Sequence, residues 1–216
     1  MLDQIQRGNL LFAVLLALGF VVGITIHEAS HAYSAYKLGD DTAYREGRVT
    51  LNPAEHLDLF GSLMLIMVGF GWGKPVPVVP SKLRGGIWGP VTVAAAGPIS
   101  NLLLVVLCAV LFKFSVFQSG YLLTGLRAFV LVNALLFVFN LIPIPPLDGA
   151  KILYPFLPRS ASGFVAFMNQ YGPFVLLGLV LVSVVVPQFS PLSYVFYLVV
   201  PLFVLLAQLG LPVPLG

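Results

Sequence analysis

The chain has 216 residues, 59% of them hydrophobic and only 9% charged, with a formal net charge of +3 and a mean hydropathy of +1.00. Soluble domains of this size carry about a quarter charged residues, so the few present here cannot cover a globular surface. Three surplus positive charges bear on membrane topology rather than on nucleic acid.

Taken in chain order, the sequence predicts five full spans over 9–36, 88–112, 123–147, 171–187 and 193–209. Each is long and apolar enough to cross a hydrocarbon core of about 30 Å. The first resembles a signal peptide, but its apolar run is too long for an h-region and leads directly into a polar motif, so it reads as a retained span. A polar stretch over 37–58 follows, in which "GRVTLNP" has strand character closed by Asn52 and Pro53. The segment 59–71, "LFGSLMLIMVGFG", is short for a span and rich in glycine, which fits a re-entrant or interfacial piece. The prolines of "GWGKPVPVVP" then force extended backbone. The expected fold is an all-α polytopic membrane protein with five spans, one re-entrant or interfacial segment and short β-strand elements between the first two spans. It reads as a single domain over 1–216, with a core over about 9–155 and a helical pair over about 170–210. Cys108, alone in an apolar run, offers neither a disulfide framework nor a cysteine metal site.

The first span ends in His27-Glu28-Ala29-Ser30-His31, an HExxH. On a helix, positions i and i+4 lie about 40° apart, so both imidazoles can converge on one Zn²⁺. Glu28 projects to the side, clear of the metal but within reach of the attacking water as general base. Polar groups lining a helix end near the headgroups would look the same. Ionisable groups inside an apolar span, however, are expensive and mark function by default. Catalytic zinc usually takes three protein ligands, so one more is required.

A second polar island closes the third span at "FNLIPIPPLDGAKIL", residues 139–153. Asp148 follows three prolines that must break the helix, and broken helices at membrane depth survive only where they are packed in protein or line a cavity. Alone, Asp148 reads as an interfacial carboxylate that stops a helix. Beside an HExxH short of a ligand, it reads as the third one.

The two islands together resemble the site-2 protease family of intramembrane zinc metalloproteases, which pairs HExxH with NxxPxPxLDG. Here the second motif is complete, with Asn140, Pro143, Pro145, Leu147, Asp148 and Gly149 in place. "GPISN" (Gly97, Pro98, Asn101) and "GWGKPVPV" at 71–78 are lesser matches, and the resemblance runs from about 20 to 155. It implies one catalytic zinc held by His27, His31 and Asp148, with Glu28 activating water and Asn140 contacting the substrate backbone or the developing oxyanion. A helix–helix hydrogen bond is the plain alternative for Asn140 and the expected role of Asn101, with Gly97 allowing close packing. His56 reads as a loop or interfacial histidine. The chain is expected to be a compact form of the family, without a PDZ or CBS domain.

One zinc can join His31 and Asp148 only if both span ends reach the same membrane face. With 88–112 and 123–147 as the intervening crossings they do, and a full crossing by 59–71 would separate them. The site side would carry Lys37, Arg45, Arg48, Lys74, Lys82, Arg84, Lys151 and Arg159, against Arg7, Lys113 and Arg127 opposite. Positive residues favour the cytoplasm, which places the site toward the cytoplasmic side of a prokaryotic plasma membrane. The expected substrate is a transmembrane protein, unwound locally to expose a carbonyl. Extended "RVTLNP" and "GKPVPV" would hold it by strand pairing, with Lys74, Pro75 and Val76 in contact. A divalent-metal transporter would use the same residue types, but no ladder of polar groups leads across the far half of the bilayer.

Overall fold

The computed structural model describes residues 10–68, 71–114, 116, 120–186, 188 and 191–208. Helix α1 (Leu10–Lys37) has no charge before Glu28 and buries several small residues, including Ala13, Gly19, Gly23, Ala32 and Ala35. Small residues let helix backbones approach closely inside a membrane. A Cβ on Gly19 would lie 3.4 Å from Phe129 Cα, and one on Gly23 would lie 2.8 Å from Asn133 Oδ1. Both partners sit on α5 (Gly120–Asn140), and α4 (Trp88–Leu111) completes a central bundle in which these three helices pack on one another.

The chain between α1 and α4 contains α2 (Thr42–Arg45), α3 (Leu59–Val68) and two short 3-10 turns, Pro53–Glu55 and Pro80–Lys82. At about 1.5 Å per residue, the ten residues of α3 reach half of a core about 30 Å thick. Residues 69–70, near the end of the expected re-entrant or interfacial segment 59–71, lie outside the described residues. The chain then folds back on α3 so closely that a Cβ on Gly61 would lie 2.2 Å from the Trp72 carbonyl oxygen. After α5 come α6 (Asp148–Leu153), α7 (Ser162–Val185) and α8 (Pro191–Gln208). An apolar core joins α4, α5 and α8 through Val105, Cys108, Leu126, Val130, Val199 and Phe203. Leu18, Leu103, Leu122 and Phe174 remain exposed on the outer faces, where lipid replaces water.

Two expectations about the fold are corrected. Four helices among the described residues, not five, are long and apolar enough to cross a membrane: 10–37, 88–111, 120–140 and 159–183. The expected 171–187 span begins earlier, because α7 continues through Gly172 and Pro173. The expected 193–209 span is not among the four: within α8 the apolar stretch that counts is Ser193–Leu205, and residue 209 lies outside the described residues. Nor does any strand form among the described residues, where only an isolated antiparallel bridge joins Leu57 and Gly73.

Side chains take the partners that a strand would need. Arg48, buried, donates to the carbonyls of Lys74 and Pro75. Asp40, also buried, accepts from Val79 N–H at 2.6 Å and from Thr42. Burial pushes the Asp40 carboxyl up, but these hydrogen bonds and the Lys82 charge more than offset it and hold the group below its ordinary range. In "GRVTLNP", Thr50 accepts from Asn52 N–H and Asn52 caps the 3-10 turn at Ala54 N–H, so turn chemistry wins over pairing.

Candidate metal centre

His27 and His31 lie one turn apart on α1 and are both buried. Asp148 reaches them from a different part of the chain. Pro143, Pro145 and Pro146 prevent α5 from continuing, and the chain reverses to start α6 at Asp148, where an acidic residue suits the helix N-terminus. The reversal is tight: a Cβ on Gly149 would lie 2.1 Å from the Leu141 carbonyl oxygen. Asp148 Oδ2 then stands 3.1 Å from His27 Nε2 and 3.0 Å from His31 Nε2, and the two nitrogens are 3.1 Å apart.

This near-equilateral triangle suits one ion. Tetrahedral zinc with bonds of about 2.0–2.1 Å places its ligand atoms about 3.3 Å from one another. The donor set of two imidazoles and one carboxylate leaves a fourth position open, as catalytic zinc sites do. Gly97 on α4 forms the wall of the cradle, since a Cβ there would lie 2.3 Å from His31 Nε2 and 2.6 Å from His27 Nε2.

Each of the three side chains is also held from behind. His31 Nδ1 donates to the Val93 carbonyl at 2.7 Å, and His27 Nδ1 lies 2.7 Å from Asn101 Oδ1. Lys151 donates to Asp148 Oδ1 at 3.1 Å, which leaves Oδ2 to face the imidazoles. Partners of this kind set the orientation and basicity of metal ligands.

Glu28 is buried beside the triangle. The extended strip passes close to it, because a Cβ on Gly73 would meet Glu28 Oε1 at 3.3 Å. Beyond Gly73, Lys74 N–H donates to the His56 carbonyl at 2.7 Å, while Val76 has no backbone partner among the described residues. Asn140, the last residue of α5, donates to the Leu136 carbonyl at 2.9 Å and forms no hydrogen bond with the triangle among the described residues.

Sequence reasoning named three further residues but not the contacts that they make. Asn101 does more than join helices: its oxygen faces His27, and its spacing of four from Gly97 is the signal that both share the face turned to the site. Lys151 stands three residues after Asp148, a spacing that brings side chains together on a helix. His56 is no loose loop histidine. It is fully buried and donates from Nε2 to the Thr50 carbonyl at 2.8 Å, and burial pushes its imidazole below the ordinary value.

No family model matches the chain, and no solved structure matches it at a significant level. Among curated proteins, it is 39% identical over 170 residues to a Bacillus subtilis protein named as a zinc metalloprotease, YwhC. That match covers 75% of this chain and 78% of the relative. The chain belongs to the site-2 protease family. A second relative of this site-2 protease is Rip2 of Mycolicibacterium smegmatis, also named as a zinc metalloprotease, 31% identical over 85% of this chain and 73% of the relative. Rip2 of Mycobacterium tuberculosis is 30% identical over 78% of this chain and 67% of its own. This site-2 protease is therefore a zinc metalloprotease embedded in membrane by apolar helices, and zinc is its metal.

Proposed function

We propose that the chain is an intramembrane endopeptidase that hydrolyses peptide bonds within or near transmembrane segments of membrane proteins. The carrying observation is the His27–His31–Asp148 triangle, assembled by helices of a lipid-facing bundle rather than by a water-exposed domain. His31 stands six residues before the end of α1 at Lys37, or about 9 Å of helix. That depth lies inside the apolar layer yet near its edge, where water and an unwound substrate can both arrive.

His27, His31 and Asp148 hold the zinc, which when bound supplies a Lewis acid for the scissile carbonyl and an acidified water. Glu28 takes a proton from the attacking water on its carboxylate and returns it to the leaving amine. Asn140 contacts the substrate backbone or oxyanion with the N–H that Leu136 does not occupy. Lys74, Pro75 and Val76 bind the unwound substrate. Arg48 fixes the carbonyls of Lys74 and Pro75, and the open backbone groups of Val76 favour this reading. Lys37, Arg45, Arg48, Lys74, Lys82, Arg84, Lys151 and Arg159 flank the site end of the bundle, which orients it toward the cytoplasm of a prokaryotic plasma membrane. Of the opposing charges, Arg7 lies outside the described residues.

The test uses purified protein in detergent with zinc and a single-span substrate, with products sized by mass spectrometry. Wild type cleaves inside the hydrophobic segment. Glu28→Gln keeps its zinc and slows cleavage by about 10²–10⁴-fold. Equal cleavage by both refutes the assignment of Glu28, and cleavage confined to water-exposed loops refutes the intramembrane reading.

A further inference from the structure

We propose that Asn101, backed by Asn133, is a positioning residue that fixes the tautomer and ring orientation of His27. The inference rests on the reading of His27 as a zinc ligand. Asn101 on α4 and Asn133 on α5 are both fully buried. Asn101 Nδ2 lies 3.1 Å from the Gly23 carbonyl and 3.0 Å from Asn133 Oδ1, and Asn133 Nδ2 lies 2.9 Å from the Phe129 carbonyl.

The protons follow by elimination. A backbone carbonyl only accepts. The Phe129 carbonyl therefore requires the NH₂ of Asn133 to face it, which turns the Asn133 oxygen toward Asn101. The Gly23 carbonyl likewise requires the NH₂ of Asn101, and the same NH₂ serves Asn133. Only the Asn101 oxygen is left for His27 Nδ1, 2.7 Å away. An oxygen needs a donor, so His27 carries its proton on Nδ1 and presents Nε2 as a bare lone pair toward the metal position.

Two backbone carbonyls, one on α1 and one on α5, thus dictate the state of a ring nitrogen through two amides. Gly23 makes the approach feasible, since a Cβ there would lie 2.8 Å from Asn133 Oδ1. Carboxylates often do this task in soluble metal sites. A neutral amide does it here without adding a charge to the membrane interior, where charge is costly.

The experiment compares wild type, His27→Ala, Asn101→Ala, Asn101→Asp and Asn133→Ala, purified in detergent. Zinc dissociation constants come from competition with a chromophoric chelator, and melting temperatures from the metal-free proteins. Asn101→Ala weakens zinc binding about 10–100-fold. Asn101→Asp keeps an acceptor toward His27 while losing the donors to Gly23 and Asn133, and it binds zinc more tightly than Asn101→Ala. Asn133→Ala, which never touches His27, also weakens zinc binding, and this variant decides if Asn101→Asp does not fold. Unchanged affinity in Asn101→Ala, or affinities that merely follow the melting temperatures, would overturn the proposal. If His27→Ala itself binds zinc like wild type, the ligand reading fails. If His27→Ala loses zinc while Asn101→Ala keeps it, only the present inference fails.

Discussion

Replacing Gly97 with alanine probes the metal centre with a single methyl group. In the interior of an exposed helix the change from glycine to alanine stabilises by about 1 kcal/mol, so a propensity argument predicts a sturdier α4. The site predicts damage. The added Cβ would stand 2.3 Å from His31 Nε2 and 2.6 Å from His27 Nε2, where ordinary contact begins at 3.4 Å. The His31 ring must therefore retreat by about 1 Å, several times the tolerance of about 0.2 Å that a zinc bond allows. Retreat is resisted from behind, because both Nδ1 atoms are tied at 2.7 Å to α4 itself. Zinc affinity should fall at least about 100-fold, or about 2.7 kcal/mol. The assay is chelator competition for zinc alongside melting of the metal-free protein. Wild-type zinc affinity in Gly97→Ala would refute the claim that these two nitrogens converge on the face of α4 that carries Gly97.

Arg48→Met removes the donors to the Lys74 and Pro75 carbonyls and should raise KM for a transmembrane substrate while zinc content stays at wild-type level; an unchanged KM detaches the strip from substrate binding. Gly149→Ala should destabilise by more than about 2 kcal/mol, because the Cβ meets the Leu141 carbonyl oxygen at 2.1 Å, which thermal melting in detergent reports. His56 supplies a pH dependence. Burial lowers its proton affinity below that of the unfolded chain, so the unfolded state binds more protons as pH falls through about 6.5. Its contribution to stability is complete above that pH and declines below it. The melting temperature of wild type should consequently drop more between pH 7.5 and 5.5 than that of His56→Gln, and parallel profiles would count against the assignment.

Local chemistry was legible without coordinates. HExxH sets two imidazoles on one helix face by geometry alone, and the prolines before Asp148 end a helix by their own covalent structure. Parity of crossings then demanded that both ends meet, and the distances of 3.0–3.1 Å agree. What failed was anything settled by competition between partners. "GRVTLNP" and "GKPVPV" carry residues suited to strands, but the Arg48 and Asp40 side chains took the backbone groups that a ladder needs. Hydropathy likewise marked the C-terminal apolar segments but not where their helices begin.

The sequence by itself determined the class of environment, through composition, and set His27 and His31 on one helix face, through spacing. Asp148 and the metal entered through the ligand that HExxH lacks and the resemblance to a family. Only the tertiary structure decided that Asn101 faces His27 and that Gly97 walls the cradle. Those relations depend on the rotation of α4 and α5 about their axes. Rotation is set by close packing at Gly19 and Gly23, and a uniformly apolar helix does not disclose it in its pattern.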